Sequence, residues 1–180
     1  MLPRFASWRA KLATAMAPFE PFQIYWKTYG GFKALVRSLY LWVSVALTGA
    51  CFPLWTDRGF MGDERPITAT LLSLVPALMA FTLAGMAIVL ALSGKRFVTA
   101  IREDGREDSL FMKIVVYFFH FILVQTVALV LSLLAASYVS QTWLAALAFF
   151  FAVYGVASAL SIAAMLLNVS RIYNLTGGDD

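Results

Sequence analysis

Four long stretches of this 180-residue chain are apolar and almost free of charge, and they constrain its fold more than any other feature. They cover about residues 34–55, 67–92, 114–139 and 143–169, and Arg37 in the first stretch is their one Lys, Arg, Asp or Glu. A helix needs roughly 20 apolar residues to cross a hydrocarbon core about 30 Å thick. Because the backbone finds no water there, continuous apolar runs of this length predict transmembrane helices, whereas a barrel would show short alternating segments.

The overall composition agrees with a membrane protein and excludes two other classes. Hydrophobic residues make up 61% of the chain and charged residues 13%, and the mean hydropathy is +0.79. A soluble domain carries about 25% charged residues, and a disordered chain has low hydrophobicity. Cys51 is the one cysteine and His120 the one histidine, so neither an intrachain disulfide nor a metal site of several such residues is expected. We expect no cofactor and no enzymatic activity.

The basic residues predict the orientation of the spans. Twelve of the 14 Lys and Arg residues lie before or at the start of the first span, after the last span or in the loop 93–113, and Arg58 and Arg65 lie on the opposite side. Cytoplasmic segments carry the excess of Lys and Arg. The predicted fold class is therefore an all-α integral membrane protein with four transmembrane helices, an amino-terminal interfacial amphipathic helix and both termini in the cytoplasm.

The chain divides into three predicted parts: an interfacial segment 1–33, a transmembrane domain 34–169 with the cytoplasmic loop 93–113, and a tail 170–180. Residues 140–142 alone separate the last two spans, which predicts a tight antiparallel hairpin. In the first segment an apolar stripe at helical spacing, ended by Pro18 and Pro21, is typical of a helix lying in the membrane interface. An aromatic run follows before Gly30-Gly31, which permits a bend. This segment is either an interfacial anchor or a cytosolic collar that contacts a partner or ligand.

Basic and aromatic side chains are concentrated on the predicted cytoplasmic side. The positive-inside rule accounts for the asymmetry without any ligand. The same concentration could hold an anionic ligand, including a short single-stranded nucleic acid stacked on the aromatic rings. The candidate ligand-binding residues are Arg4, Trp8, Arg9, Lys11, Trp26, Lys27, Lys33, Lys95 and Arg96.

Few polar groups lie within the spans, and each has two interpretations. His120 is either hydrogen-bonded to a neighbouring helix or a pH-sensitive gating residue. Gln125 and Ser132 lie seven residues apart on one helix face, where they either bond between helices or line an aqueous path. Pro76 removes a helix hydrogen bond and is a candidate hinge. No Asp, Glu, Lys or Arg lies near the middle of a span, which disfavours a proton relay or an ion-coupled transporter.

Two spans carry faces of small residues, which let helix backbones approach closely in a membrane. The two faces are Ala77, Ala80, Ala84, Ala87 and Ala91 in the second span, and Ala145, Ala148, Ala152, Gly155 and Ala159 in the fourth. Packing within one protomer can use such faces as readily as assembly can. Two separate faces leave one for self-association, so we expect a homo-oligomer, with a tetramer as the working assumption.

Several short motifs resemble a known group of bacterial proteins. These motifs are Tyr29–Leu35, Ser73–Pro76 leading to Gly85, Gly94–Phe97 and Phe119–Gln125. They resemble the small four-span membrane components of anti-phage defence systems, the Hailong membrane effectors first and the Kiwa membrane components second. The resemblance covers about residues 29–130.

This resemblance implies a location in the bacterial inner membrane and one of two functions. Similarity to the Hailong effectors implies an oligomeric channel that single-stranded DNA oligomers, made by a partner nucleotidyltransferase, hold closed; loss of the ligand would open it and depolarise the cell. Similarity to the Kiwa components implies a non-conducting sensor that docks a cytosolic DNA-binding partner. A membrane enzyme or transporter is the third and least favoured possibility.

Overall fold

The computed structural model describes residues 20–56, 65–91 and 109–176, and within these ranges every regular element is a helix. The helices are α1 Glu20–Tyr29, α2 Gly31–Arg37, α3 Leu39–Ala50, α4 Phe52–Trp55, α5 Pro66–Ala91, α6 Leu110–Ser137 and α7 Thr142–Thr176. The predicted all-helical class is confirmed for this part of the chain.

Three of the described helices are long and apolar enough to cross a membrane. They are α5, α6 and the part of α7 from Thr142 to Arg171, with 26, 28 and 30 residues. At about 1.5 Å per residue even the shortest measures about 39 Å, more than the hydrocarbon thickness of about 30 Å. These helices coincide with the predicted second, third and fourth spans, and they support the transmembrane character predicted from the sequence.

The predicted first span, 34–55, is not one continuous helix. Ser38 adopts an extended conformation between α2 and α3, and Cys51 separates α3 from α4. The 12 residues of α3 are apolar, but at about 1.5 Å per residue they measure only about 18 Å. A fourth crossing would need the neighbouring helices as well, so it remains a prediction.

The chain turns sharply between α1 and α2, where the Gly30-Gly31 pair predicted a bend. Gly30 has a φ of 93° and Gly31 a φ of 66°, a region that other residues rarely adopt. At its other end α1 includes Pro21 in its first turn, where a missing backbone N–H costs little. Pro21 therefore lies in the first turn of α1, and the interfacial helix that Pro18 and Pro21 are predicted to end lies outside the described residues.

The helical hairpin of α6 and α7 forms the centre of the bundle. The two helices join through a turn in which Gln141 N–H donates to the Tyr138 carbonyl. The predicted small face of α7 packs inside the protomer, where Ala148 is fully buried and a Cβ on Gly155 would lie 3.6 Å from Gln125 Cγ. Around this centre α5 and α1 pack on α6, and α3 packs on α7. We call the end of the bundle that carries α1 the α1 end.

The small face of α5 is exposed along the whole helix. Its five alanines are spaced alternately by three and four residues, and the same spacing extends toward the start of the helix through Ser73 to Thr70. We call this face the α5 stripe. Its residues are Thr70, Ser73, Ala77, Ala80, Ala84, Ala87 and Ala91. The described residues of the protomer thus bury the small face of α7 and leave the α5 stripe uncovered.

The turn at Gly30 generates a prediction about stability. In Gly30→Ala the new Cβ would lie 3.1 Å from Ala34 Cβ on a backbone with positive φ, so we expect a loss of about 1–2 kcal/mol. Gly49→Ala is the matched control, because no atom lies within 4 Å of its Cβ position in a regular helix. The control should leave stability unchanged or raise it by up to about 1 kcal/mol. Thermal unfolding in detergent, followed by circular dichroism, measures both; equal effects would contradict the prediction.

Candidate functional site

His120 lies where three helices meet at the α1 end, and only 6% of its surface is exposed. Its Nδ1 lies 2.7 Å from the Tyr25 hydroxyl of α1, and its Nε2 lies 3.0 Å from the Tyr154 hydroxyl of α7. The Tyr29 hydroxyl is 3.4 Å from the same Nε2. We call Tyr25, Tyr29, His120 and Tyr154 the Tyr–His cluster. The cluster joins α1, α6 and α7 through side chains alone.

Either neutral tautomer of His120 satisfies the two shorter contacts. One hydroxyl donates to the bare ring nitrogen, and the other accepts from the ring N–H. Burial raises the pKa of Tyr25 to about 12, and Tyr29 adds to this effect. Burial also raises the pKa of Tyr29. Both hydroxyls of α1 therefore keep their protons at neutral pH and can donate to the ring.

Aromatic packing reinforces the attachment of α1. The Tyr29 and His120 rings stack with centroids 4.3 Å apart and an interplanar angle of 23°. Phe22 meets Phe119 edge to face at 5.6 Å, and Tyr25 is 6% exposed. Such pairs contribute roughly 0.5–1.5 kcal/mol beyond their buried area. Residues 20–29 therefore pack against α6 of the same chain, and both interpretations of the amino-terminal segment stay predictions.

A cavity of about 240 Å³ lies beside the Tyr–His cluster, between the junction of α2 with α3 and the helices α6 and α7. It opens to the outside of the bundle, and its wall is rich in hydrogen-bonding groups. The polar lining residues are Tyr29, Arg37, Ser38, Tyr40, Tyr117, His120, Tyr154, Ser158 and Ser161.

The electrostatic character of this cavity is positive. Arg37 is the one charged residue among the described residues that line it, and no described carboxylate is paired with its guanidinium. The Tyr40 and Ser161 hydroxyls also make no hydrogen bond with another described residue, whereas Ser158 donates to the Tyr154 carbonyl. The cavity therefore has one cationic side chain and hydroxyl groups that make no hydrogen bond with another described residue. Such a lining is suited to an anion.

The structure places the predicted ligand-binding residues only in part. Arg4, Trp8, Arg9, Lys11, Lys95 and Arg96 lie outside the described residues. Trp26, Lys27 and Lys33 are exposed on α1 and α2 at the α1 end, and none of the three lines the cavity. The described part of the chain thus brings together a different set of residues from the one that the sequence predicted.

Gln125 and Ser132 face the interior of the protomer, with 1% and 0% of their surfaces exposed. The Ser132 hydroxyl donates to the Ala128 carbonyl, and Gln125 Oε1 accepts from the Thr82 hydroxyl at 3.4 Å. Gln125 Nε2 is buried with no hydrogen-bond partner among the described residues. In the single protomer these contacts favour the packing interpretation. Pro76 is exposed within α5, which continues as a helix on both sides of it.

Sequence reasoning did not connect Tyr25, Tyr29 and Tyr154 to His120, and it did not place Arg37 at a cavity. Tyr25 and Tyr29 are four residues apart and therefore share one face of α1, a spacing that could have singled them out. Tyr154 lies in the middle of an apolar run with nothing local to connect it to His120. Arg37 entered the sequence argument only as a positive charge, although it lines the cavity.

Arg65 is a second residue that sequence reasoning did not select as a candidate. It is 4% exposed at the end of the bundle opposite α1. Its Nη1 donates to the Trp55 carbonyl and its Nη2 to the Thr142 hydroxyl, both at 2.9 Å. Arg65 therefore links the end of α4 to the first residue of α7.

The comparisons with protein-family models, with curated proteins and with solved structures found no match to this chain. The resemblance to the defence membrane components thus rests on the short sequence motifs alone and remains a prediction.

The Tyr–His cluster generates a prediction about the docking of α1. Tyr25→Phe removes the hydroxyl that bonds His120 Nδ1 and leaves the ring in place, so docking should weaken by about 1 kcal/mol. We expect amide hydrogen exchange in α1 to rise about fivefold. Tyr138→Phe is the control, because Tyr138 is exposed at the opposite end of the bundle. Unchanged exchange in Tyr25→Phe would show that ring packing alone holds α1.

Proposed function

We propose that this protein is a homo-oligomeric, channel-type effector of the bacterial inner membrane, gated from the cytoplasm by an anionic ligand. The observation that carries the proposal is the cavity at the α1 end, where Arg37 and hydroxyl donors meet with no described carboxylate among them. The role in anti-phage defence, and single-stranded DNA as the ligand, come from the resemblance of the sequence motifs.

The proposed topology has four crossings and places the α1 end in the cytoplasm. The first crossing would use α3 together with α2 and α4, because α3 alone is too short. Arg37, at the end of α2, would then lie near the cytoplasmic surface of the membrane. The concentration of Lys and Arg before the first span and in the loop 93–113 supports this orientation.

The α5 stripe supports assembly into a homo-oligomer. Helices associate in membranes largely by close packing of small residues, because lipid offers no hydrophobic drive between them. The α7 face already packs within the protomer, and the α5 stripe is exposed over about six helical turns. Its spacing of three and four residues suits left-handed packing against another helix.

Two side chains that line the cavity also hold α1 on α6. A ligand in the cavity can therefore affect the position of α1 relative to the transmembrane helices. Tyr29 and His120 line the cavity and also hold α1 on α6. A ligand that takes up the Tyr29 hydroxyl competes with its contact to His120. Binding therefore shifts the balance between docked and released α1, in proportion to the difference in affinity between the two states.

A non-conducting sensor or scaffold is the second candidate function, and one observation favours it. Gln125 and Ser132 are turned into the protomer, so these two polar groups of α6 do not face a space between protomers. In this alternative the exposed side chains of α1 and α2 would hold a cytosolic DNA-binding defence partner. Co-purification without ion flux would distinguish it from the channel.

Assembly through α5 is tested by Ala84→Leu, which places a large side chain in the α5 stripe. We expect this variant to lose the oligomer in cross-linking and in mass measurements of detergent complexes, because close backbone approach is blocked. Ala164→Leu is the matched control, an exposed alanine of α7 outside the stripe. An Ala84→Leu variant with the oligomer intact would place the interface elsewhere.

Channel activity is tested by ion flux in liposomes that contain the purified full chain. Because the resemblance implies a ligand that closes the pore, we expect flux without ligand and reduced flux when single-stranded oligonucleotide is added on the cytoplasmic face. Arg37→Gln should retain flux and lose the response, since it removes the cation of the cavity. Arg171→Gln, an exposed arginine at the same end, is the control.

Two results would decide against the channel or against its gating. Absence of flux from wild-type protein in every condition would reject the channel and favour the sensor. If single-stranded oligonucleotide still reduces flux fully in Arg37→Gln, the ligand binds outside the cavity, in the basic segments that lie outside the described residues.

A further inference from the structure

We infer that the cavity beside the Tyr–His cluster binds a phosphate group, presented either by a phospholipid headgroup or by a small soluble phosphate. This inference deepens the proposed function, because it names the chemical class of the anion that the α1 end recognises. It rests on the charge of the cavity, on the three helices that contribute hydrogen-bond donors to its lining and on its size.

The charge of the cavity selects an anion. Arg37 contributes a guanidinium whose fork of N–H donors matches the oxygens of phosphate or carboxylate. Among the described residues no carboxylate lines the cavity with it, and Arg37 is exposed as well as lining the cavity. Hydrogen bonds between a charged donor and a charged acceptor are roughly twice as strong as neutral ones.

The arrangement of the donors favours phosphate over carboxylate. Arg37 comes from the end of α2, Tyr40 from α3 and Ser161 from α7, so three helices contribute donors to the lining of the cavity. The hydroxyls of Tyr40 and Ser161 make no hydrogen bond with another described residue. A tetrahedral phosphate presents three acceptor oxygens in different directions, whereas the two oxygens of a carboxylate lie in one plane.

The size of the cavity limits what accompanies the phosphate. A volume of about 240 Å³ corresponds to about eight water molecules at their share of liquid volume. A phosphate with its first linked group fits such a space, whereas a chain of stacked nucleotides does not. A longer ligand would therefore enter by one terminal phosphate and lie outside the cavity for the rest of its length.

Both sources of phosphate can reach the site in the proposed topology. At the cytoplasmic surface of the membrane a basic pocket between helices is suited to an anionic headgroup that enters from the lipid. The same opening admits a small phosphate from the cytosol. The two routes share one chemistry at Arg37, and the experiment separates them.

The test uses the purified full chain in dodecyl maltoside, which contains no phosphate. Native mass spectrometry measures retention of phosphatidic acid against a galactolipid with the same acyl chains, and titration calorimetry measures inorganic phosphate. For whichever probe binds the wild-type protein, we expect Arg37→Gln to weaken binding about tenfold and Ser161→Ala to weaken it about fivefold. Arg37→Lys, which keeps the charge but loses the fork, should give an intermediate loss and exclude misfolding as the cause. Arg171→Gln is the control and should bind as the wild type does.

Each outcome decides a separate question. Selective retention of phosphatidic acid without binding of inorganic phosphate assigns the lipid as the source, and binding of inorganic phosphate assigns the soluble one. Binding of neither probe, or binding that Arg37→Gln and Ser161→Ala leave unchanged, overturns the inference. If a phosphate-free anion controls ion flux while neither probe binds, the inference fails and the proposed function stands. If a probe binds through Arg37 and flux never responds to any anion, the proposed function fails and the phosphate site stands.

Discussion

The absence of water from a bilayer interior makes an unpaired polar group costly in a membrane-spanning helix, so such groups favour partners within the protein. Most hydroxyls of the long helices meet this demand locally. Thr126, Ser132 and Ser158 each donate to the carbonyl one turn earlier, at 2.9, 2.8 and 2.6 Å. Such bonds satisfy the hydroxyl without tying one helix to another. The groups that do connect helices are therefore few, and the structure depends on them.

Two of these connecting groups lie at opposite ends of the bundle, and each attaches a short helix to α7. His120 holds the short helix α1 through Tyr25 and reaches α7 through Tyr154. Arg65 holds the end of the short helix α4 and reaches the start of α7 through Thr142. Each is buried and each uses a neighbour on α7. The short helices on either side of the uninterrupted hairpin are thus fixed to it by side chains rather than by apolar area alone.

The cavity beside His120 lies at the break in the helix at Ser38. Ser38 is extended between α2 and α3, and Arg37 and Tyr40, on either side of this break, both line the cavity. Because the same space contains Tyr29 and His120, occupancy of the cavity and docking of α1 are physically linked. The proposed gating depends on this linkage, whereas the proposed assembly depends on the separate α5 stripe.

The sequence by itself determined the features that depend on local composition. Uninterrupted apolar runs predict α5, α6 and α7, the three polar residues 140–142 predict the hairpin, and Gly30-Gly31 predicts the turn after α1, because hydropathy and backbone freedom act within a few residues. Only the tertiary structure decided which polar side chains meet. Tyr25 and His120 are 95 residues apart, the break at Ser38 has no proline or glycine to mark it, and the same runs allow Gln125 to face a pore or the core. In apolar helices that lack a clear polar face, rotation about the helix axis is set by packing against neighbours, and no local pattern encodes it.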